Sequence, residues 1–352
     1  MPRLLGGNRA AVVPYRHPGL VLAVGGAAPA ELVRALQRDL RALGYLRAGV
    51  DGRFGPGTAA AVRSFQYDLL FNDGTGRDGK APVAMRAFNQ GRVTVTDGRV
   101  DERLAACIEA ALDDPRVPKL PRSDTPAEDN RRALDAVRAL AGTDVAVPIP
   151  FLLAVLTQES GLQHFRVPTG GDTDDFIVVG LDRNNEGRAD HITSRGYGIG
   201  QYTLFHHPPR REEVESVMVD PVRNVGRAVR ELREKFDHFV AGATSGTRAD
   251  DRLAEIGTGP LRLCRHPASD PRFLRDCHTC ASHAPALRIT TGTPCFKGST
   301  VSFCPTEYHP ATSYADVPDR AHVGCDWPYA VRRYNGGGVN SYHYQVQVMK
   351  RL

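Results

Sequence analysis

The sequence lacks the features that mark membrane-spanning and nucleic-acid-binding proteins. Its 352 residues contain no apolar run that approaches the roughly 20 residues of a membrane span. Lys and Arg total 45 against 40 Asp and Glu, and no basic block indicates a nucleic-acid partner. The resulting net charge of +5 suits a polyanionic surface. A composition of 41% hydrophobic and 24% charged residues is typical of a soluble globular protein, and the length allows two or three domains.

The N-terminal extension, residues 1–27, also lacks a clear signal peptide. It has basic residues but no clean apolar region followed by a cleavage site. If the protein acts outside the cytoplasm, we expect another export route to carry it there.

Cysteine is scarce outside one Pro/Gly-rich segment. Cys107 stands alone, and the other six cysteines are Cys264, Cys277, Cys280, Cys295, Cys304 and Cys325. An even set in an irregular segment favours three disulfides. The pattern CHTC at 277–280, with histidines nearby, makes a structural Zn²⁺ site the first alternative, and free thiols are the second.

Residues 28–112 have the apolar spacing of a small helical domain. Leu32, Leu36 and Leu40 share one face of a first helix, and Gly44 follows as its stop. A glycine-dense turn, VDGRFGPGT, leads into a second helix, and a third short helix is expected over 82–89. Asp101 is the expected N-cap of a fourth helix. No internal repeat stands out.

Three parts of this stretch, LQRDLRALGYL, VDGRFGPGTAAAV and SFQ, resemble the small three-helix peptidoglycan-binding domain. In that family the turn and the helix after it help form the surface for sugar and peptide. The resemblance implies that Asp51, Phe54 and Thr58 contribute to that surface. The alternative is that Asp51 only builds the turn and Phe54 only fills the core.

A charged, Pro-rich linker at 113–124 separates this domain from a second one at 125–352. Thr125, Pro126 and Glu128 form a capping box that opens the second domain. Another helix is expected to begin at Asp220–Pro221. The predicted fold class is therefore mainly α (α+β), with a Cys-rich insertion at 264–325.

The stretch PFLLAVLTQESG, residues 150–161, predicts an apolar helix that ends in a carboxylate and a glycine. Glu159 would lie at the negative end of the helix dipole among apolar neighbours, and both effects raise its pKa. A carboxyl that is protonated near neutral pH can act as a general acid on a glycosidic oxygen. The alternative is an exposed glutamate at a helix end.

Two later segments, SRGYGIGQYT at 194–203 and YAVRRYNGGG at 329–338, follow QESG in a fixed order. Together the three segments resemble the lysozyme-like superfamily, in its branch of goose-type lysozymes and lytic transglycosylases. The resemblance implies an α-rich catalytic domain with Glu159 as the catalytic acid. It also implies that the following residues line the sugar cleft or orient the acid and substrate: Ser160, Tyr197, Gln201, Tyr202, Tyr334 and Asn335. The long acidic gap after QESG and the Cys-rich insertion depart from the family pattern.

The segment between QESG and SRGYGIGQYT bears on whether the reaction is hydrolysis or transglycosylation. Hydrolysis with inversion needs a second carboxylate to activate water. Asp172, Asp174 and Asp175 are available, and we favour Asp172, whose spacing from Glu159 resembles the goose-type arrangement. Asp174 is a further catalytic candidate. Without such a base, the enzyme would be a lytic transglycosylase that leaves 1,6-anhydro products. The alternative for the aspartates themselves is that they only form a solvated polar loop.

The same gap contains DRNNEGRAD, residues 182–190, which partly matches a calcium-binding loop. Asp182, Asn184, Glu186 and Asp190 supply oxygen ligands, and Gly187 permits a sharp turn. The Glu expected at the twelfth position is replaced by Thr193. The pattern predicts Ca²⁺, with a polar hairpin turn as the alternative.

These observations predict a glycoside hydrolase, a muramidase that cleaves the β-1,4 bond between N-acetylmuramic acid and N-acetylglucosamine in peptidoglycan. A lytic transglycosylase and a non-catalytic cell-wall-binding protein are the alternatives; a zinc peptidase would need a His-x-x-x-His motif, which the sequence lacks. We expect a monomer that acts in the periplasm or cell wall of a target bacterium, as an endolysin or a secreted antibacterial toxin. A toxin would imply an immunity protein as a second partner.

Overall fold

The computed structural model describes residues 12–140, 147–183, 189–240, 261–275, 323–335 and 340–352, with short strands between 286 and 318. The described chain is mainly α, as the apolar spacing predicts. It forms two compact units. The first contains Met1–Ala133 and Gln163–Asn224, and the second contains Leu134–Leu162 and Val225–Leu352. The compact units therefore divide the chain differently from the predicted boundary at the 113–124 linker.

The helices are α1 Ala30–Ala42, α2 Pro56–Phe71, α3 Glu102–Asp113, α4 Pro126–Leu140, α5 Ile149–Ser160, α6 Arg211–Glu213, α7 Pro221–Lys235, α8 Trp327–Tyr334 and α9 Asn340–Met349. A 3₁₀ turn covers Met85–Phe88, and wider π-type turns at Val214–Met218 and Phe236–Val240 follow α6 and α7. Among the described residues, no helix is long and apolar enough to cross a membrane.

The strands of the described residues form four small antiparallel sheets. They are β1 Thr75–Gly76, β2 Gly79–Lys80, β3 Val179–Arg183, β4 Ile192–Tyr197, β5 Tyr202–Leu204, β6 Ala286–Leu287, β7 Pro294–Lys297, β8 Thr300–Phe303 and β9 Val317–Pro318. The largest sheet has the order β3-β4-β5, in which Tyr197 is paired with Val179 on one side and with Tyr202 on the other. The remaining pairs are β1-β2, β6-β9 and β7-β8.

Local sequence signals explain where several helices begin and end. The Asp101 side chain accepts a hydrogen bond from the backbone N–H of Leu104 at 2.9 Å, which confirms it as the N-cap of α3. Helix α5 follows Pro148 and ends at Gly161, whose φ of 63° is the left-handed conformation that glycine adopts at little cost. The predicted end of the helix that carries Glu159 is thus confirmed.

The first unit contains a repeated arrangement, so the expectation of no internal repeat is wrong. Gln37 binds the turn Asp51–Arg53: its Nε2 donates to Asp51 Oδ1 at 2.9 Å and its Oε1 accepts from Gly52 N at 2.8 Å. Gln66 binds the turn Asp97–Arg99 with the same two bonds, at 2.8 and 2.9 Å. The central glycines have φ values of 78° and 74°. The matching segments LQRDL and FQYDL, each paired with a DGR turn, carried this signal in the sequence.

Buried ion pairs explain why residues 163–224 belong to the first unit. Arg41 and Asp174 pair at 3.1 Å, and neither side chain has any exposed surface. Arg195 pairs with Asp68 at 3.1 Å, and the Tyr45 hydroxyl donates to the same carboxylate at 2.7 Å. Removing one partner from a buried pair leaves an uncompensated charge, so these contacts hold the two segments together.

The second unit is built around α5 and the two C-terminal helices. Helix α5 packs against both α8 and α9. Phe236, in the turn after α7, stacks on the fully buried Trp327 of α8 with ring centroids 4.2 Å apart. Arg332 is buried, donates to Gln345 at 3.1 Å and lies over the Tyr342 ring at 4.1 Å.

The cysteines give partial information on the predicted disulfides and zinc site. Cys107 is buried, and burial raises the pKa of its thiol to about 11. Cys264 Sγ accepts from the N–H of Leu274 at 3.4 Å, and Cys325 is buried. Cys277, Cys280 and Cys304 lie outside the described residues, as does the side chain of Cys295. Disulfides and zinc in this segment both stay predictions.

Candidate active site

Glu159 lies in the last turn of α5, in the second unit. The residues before it in the helix are largely buried, including Phe151, Val155 and Leu156. This apolar face fixes α5 in the unit, and the helix ends one residue after Glu159, at Ser160, with Gly161 as its C-cap. The carboxyl is therefore presented from a rigid element, with Glu159 itself half-buried.

Tyr344 of α9 binds this carboxyl directly. Its hydroxyl donates a hydrogen bond to Glu159 Oε1, with the two oxygens 2.5 Å apart. Such a distance is characteristic of strong bonds from a hydroxyl to a carboxyl group. Tyr344 is 6% exposed, so the bond is shielded from competing water. One carboxyl oxygen is thus fixed in position.

The surroundings raise the pKa of Glu159 from its ordinary value of 4.5 to about 7. Burial is the main cause, because it disfavours the charged form. The hydrogen bond from Tyr344 acts in the opposite direction, and the nearby negative charge of Glu231 raises the pKa further. The net effect is a carboxyl group that is about half protonated near neutral pH.

Two more residues, Glu231 and Tyr334, interact electrostatically with Glu159 and form a cluster with it and Tyr344. Glu231 lies on α7, is half-buried, and has its Oε1 3.8 Å from Lys235 Nζ. Tyr334 is the last residue of α8 and is buried. Burial and the charges of Glu231 and Glu159 raise the pKa of Tyr334 well above its ordinary value. The pKa of Tyr344 is raised in the same way, so both tyrosines remain neutral hydrogen-bond donors.

The second unit also contains two other predicted site residues. The Ser160 hydroxyl donates back to the carbonyl of Leu156 at 3.0 Å, a bond within its own helix. Asn335 directly follows α8 and is exposed. The structure thus brings Glu159 and Tyr334 into one cluster, while the substrate roles of Ser160 and Asn335 stay predictions.

Tyr197, Gln201 and Tyr202 lie in the first unit, at the hairpin between β4 and β5. Tyr197 is fully buried, and Tyr202 is half-buried. The Gln201 side chain folds back onto its own turn, where Nε2 donates to the carbonyl of Gly198 at 2.7 Å. In this arrangement the amide supports the hairpin, and the sugar-binding role of these three residues stays a prediction.

The acidic residues predicted as a catalytic base also lie in the first unit, where protein groups bind them. Asp172 Oδ1 accepts from the backbone N–H of Val50 at 2.7 Å, and Arg166 lies 3.9 Å from its Oδ2. Asp174 pairs with Arg41 and, at 3.0 Å, with Arg166. Asp175 binds Arg122. These contacts give the aspartates a structural role, and their catalytic role stays untested.

The predicted peptidoglycan-binding residues lie in the first of the two repeated turns or just after it. Asp51 is exposed, but its Oδ1 accepts from Gln37 and from the N–H of Arg53, both at 2.9 Å. Thr58 is 3% exposed and accepts from Gln37 at 3.1 Å. Phe54 is partly buried against the core. Asp51 is the member of this set that presents a carboxylate to solvent.

Two of the four predicted calcium ligands, Asn184 and Glu186, lie outside the described residues. Of the other two, Asp190 pairs with Arg63 at 3.1 Å and Asp182 lies 3.4 Å from the Thr193 hydroxyl. No group of three His, Cys, Asp or Glu side chains among the described residues is placed to hold a metal ion. Calcium binding stays a prediction.

Sequence analysis missed Glu231 and Tyr344. Glu231 lies in VRELREK, where charged residues of both signs look like an ordinary solvated face. Tyr344 lies in SYHYQVQV, which alternates with the period of a strand, whereas the chain forms α9. No local feature of the sequence marks either residue as part of the site.

A comparison with protein-family models finds a match over residues 29–76, to the family described as "Putative peptidoglycan binding domain". The match supports a peptidoglycan-binding domain in this part of the chain. This match supports peptidoglycan as a partner and a cell-wall context. Comparisons with curated proteins and with solved structures gave no significant match.

Proposed function

We propose that this protein is a peptidoglycan glycosidase that cleaves the bond between N-acetylmuramic acid and N-acetylglucosamine, with Glu159 as the general acid. The observation that carries the proposal is the Glu159 carboxyl, which is fixed by Tyr344 and has a pKa of about 7. An isolated glutamate would be ionised at neutral pH and could not donate a proton. The peptidoglycan-binding domain supports the substrate class.

The hydrogen bond from Tyr344 determines which carboxyl oxygen of Glu159 carries the proton that is donated. Since Oε1 accepts from the tyrosine, the acidic proton is carried by Oε2. That proton is transferred to the glycosidic oxygen as its bond to the muramic acid C1 breaks, which leaves a neutral alcohol and an oxocarbenium-like sugar. The same tyrosine then stabilises the carboxylate that remains, since a hydrogen bond to the charged form favours it.

The second step decides between hydrolysis and transglycosylation. For inverting hydrolysis, a second carboxylate takes a proton from the water that attacks C1. Glu231 is our candidate for this base, because it belongs to the same cluster as Glu159. We prefer it to Asp172 and Asp174, which arginines and backbone N–H groups bind within their own unit. Without a base, the 6-hydroxyl of the same sugar attacks C1 and gives the 1,6-anhydro product of a transglycosylase.

The binding domain would increase the rate by tethering. A domain that holds the chain on insoluble peptidoglycan raises the effective substrate concentration at the catalytic unit. Tethering adds no contact at Glu159, so a variant can lose binding to peptidoglycan and keep the catalytic step, or the reverse.

The test is mass spectrometry of soluble fragments released from purified peptidoglycan. Wild type is compared with Glu159→Gln, Glu231→Gln and the control Glu234→Gln, an exposed glutamate on the same helix as Glu231. We expect muropeptides from wild type and the control, and none from Glu159→Gln. If wild type releases fragments with reducing muramic acid ends and Glu231→Gln does not, the result would support a hydrolase with Glu231 as base. Products with 1,6-anhydro ends would support a transglycosylase. Release by Glu159→Gln at the wild-type rate would refute the proposal.

A further inference from the structure

Three aromatic rings form a row on the surface of the first unit. Tyr67 and Phe71 of α2 have ring centroids 4.8 Å apart, at an interplanar angle of 48°. The ring of His191, which directly precedes β4, stacks on Tyr67 with centroids 5.1 Å apart and an angle of 24°. We call these three residues the aromatic row. Two of its rings belong to the segment 29–76 that matches the peptidoglycan-binding family.

The row is accessible to a ligand. Tyr67 and Phe71 are four residues apart on a helix and therefore share one face. Phe71 is 59% exposed, while Tyr67 and His191 are half-buried. Large apolar side chains are usually buried, and exposed apolar groups that cluster mark binding surfaces more often than isolated ones do. Neither the core of the unit nor the proposed catalytic cluster uses these rings.

Charged groups beside the row suit an anionic polymer. Arg63, one helical turn before Tyr67, pairs with Asp190, the residue before His191, at 3.1 Å. Arg183 donates to Ser64 Oγ at 2.6 Å and to the carbonyl of Ala189 at 3.1 Å. Both guanidinium groups lie next to the rings, and the Asp190 carboxylate pairs with one of them. Peptidoglycan carries carboxylates on its stem peptides, which guanidinium groups attract.

We propose that the aromatic row is a glycan-binding site, on which a pyranose ring of a peptidoglycan strand stacks. One face of a pyranose presents a set of axial C–H groups with slight positive charge. The face of an aromatic ring is electron-rich and attracts such groups. Phe71, which is 59% exposed, offers such a face at the end of the row. This inference goes beyond the proposed cleavage, since it concerns binding by the first unit.

The experiment measures binding of the full chain to insoluble purified peptidoglycan by co-sedimentation. Every protein carries Glu159→Gln, so that the result does not depend on cleavage. The test variants are Phe71→Ala and His191→Ala. Phe71→Tyr keeps a ring at the exposed position, and Val24→Ala removes an exposed apolar side chain of the same unit that is 57% exposed. Circular dichroism establishes that each variant is folded.

We expect Phe71→Ala and His191→Ala to bind about threefold to tenfold more weakly, which is the range for the loss of one aromatic contact. Phe71→Tyr and Val24→Ala should bind like the parent protein. A soluble chito-oligosaccharide, which has sugar rings and no peptide, should show the same order of affinities. Unchanged binding of both alanine variants to peptidoglycan would overturn the proposal. Weaker binding to peptidoglycan with unchanged binding to the oligosaccharide would overturn the glycan assignment.

Discussion

The Glu159→Gln substitution should stabilise the second unit at high pH and have little effect at low pH. Burial and Glu231 raise the pKa of Glu159 from 4.5 to about 7 in the folded protein. The folded state therefore binds the proton more tightly than the unfolded chain does, and stability falls as the pH rises through the interval between these two values. Glutamine has nearly the same shape, keeps an oxygen that can accept from Tyr344, and never ionises.

The size of the effect follows from the shift. Each tenfold change in the acid constant corresponds to about 1.4 kcal/mol at 25 °C, so an increase in pKa from 4.5 to about 7 gives about 3 kcal/mol. This value is an upper bound, because Glu159 is half-buried and solvent screens part of the charge. At about pH 9 the variant should be more stable than wild type by up to this amount, and at about pH 4 the two should be nearly equal.

Trp327 provides the assay. It is the single tryptophan of the chain, is fully buried and belongs to the same unit as Glu159. Urea unfolding followed by its fluorescence therefore reports the free energy of unfolding of this unit. Glu234→Gln, at an exposed position on α7, is the matched control and should change stability by less than about 0.5 kcal/mol at both pH values. A difference between Glu159→Gln and wild type that does not change with pH would refute the reasoning.

Three further predictions concern other parts of the molecule. Glu231→Gln removes a negative charge that raises the pKa of Glu159, so the midpoint of the Glu159 carboxyl titration, followed by ¹³C NMR, should move to lower pH. Gly76→Ala places a methyl carbon 2.3 Å from the carbonyl oxygen of Phe205, and a backbone atom cannot move aside as a side chain would. The substitution should therefore lower the free energy of unfolding of the first unit by about 1–3 kcal/mol, measured by denaturant unfolding followed by circular dichroism. His206 is buried with its ring nitrogens 3.0 Å from Glu213 and 2.7 Å from Asp78, and these hydrogen bonds raise its pKa. Wild type should therefore exceed His206→Gln in stability below about pH 6.5, and the difference should decline as the pH rises through the raised pKa; an increase with pH would contradict this.

The sequence predicts the helices of the peptidoglycan-binding domain well, because short-range signals define them. Leucine spacing, the glycine-dense turn and the Asp101 cap depend on neighbours within a few residues. The third expected helix is the exception, since the chain there forms only the 3₁₀ turn Met85–Phe88. That segment is too short for spacing alone to distinguish the two helix types.

Long-range contacts could not be predicted in this way. Nothing local indicates that Asp174 pairs with Arg41, which is more than a hundred positions away in the chain. An acidic, glycine-rich loop looks solvated until its partners are known. The same limit explains why the predicted boundary at residues 113–124 differs from the division into compact units.

The candidate site was predicted in part. Glu159 was singled out because it ends an apolar helix and because QESG and two later segments together resemble the lysozyme-like superfamily. Its partner Tyr344 comes from a segment whose alternation suggests a strand, yet the residues of α9 are mostly buried and the segment packs as a helix against α5. Because α9 is buried on several sides, its sequence lacks the polar face by which an amphipathic helix is recognised. Neither Tyr344 nor Glu231 could be assigned without the packing of the second unit.

The most direct test is a titration of the Glu159 carboxyl carbon by NMR in the full-length protein labelled with ¹³C-glutamate. The resonance is assigned by its absence from Glu159→Gln. A midpoint near pH 7 would establish that the Glu159 carboxyl is about half protonated at neutral pH, as a general acid requires. A midpoint near the ordinary value of 4.5 would contradict the assignment of Glu159 as the general acid.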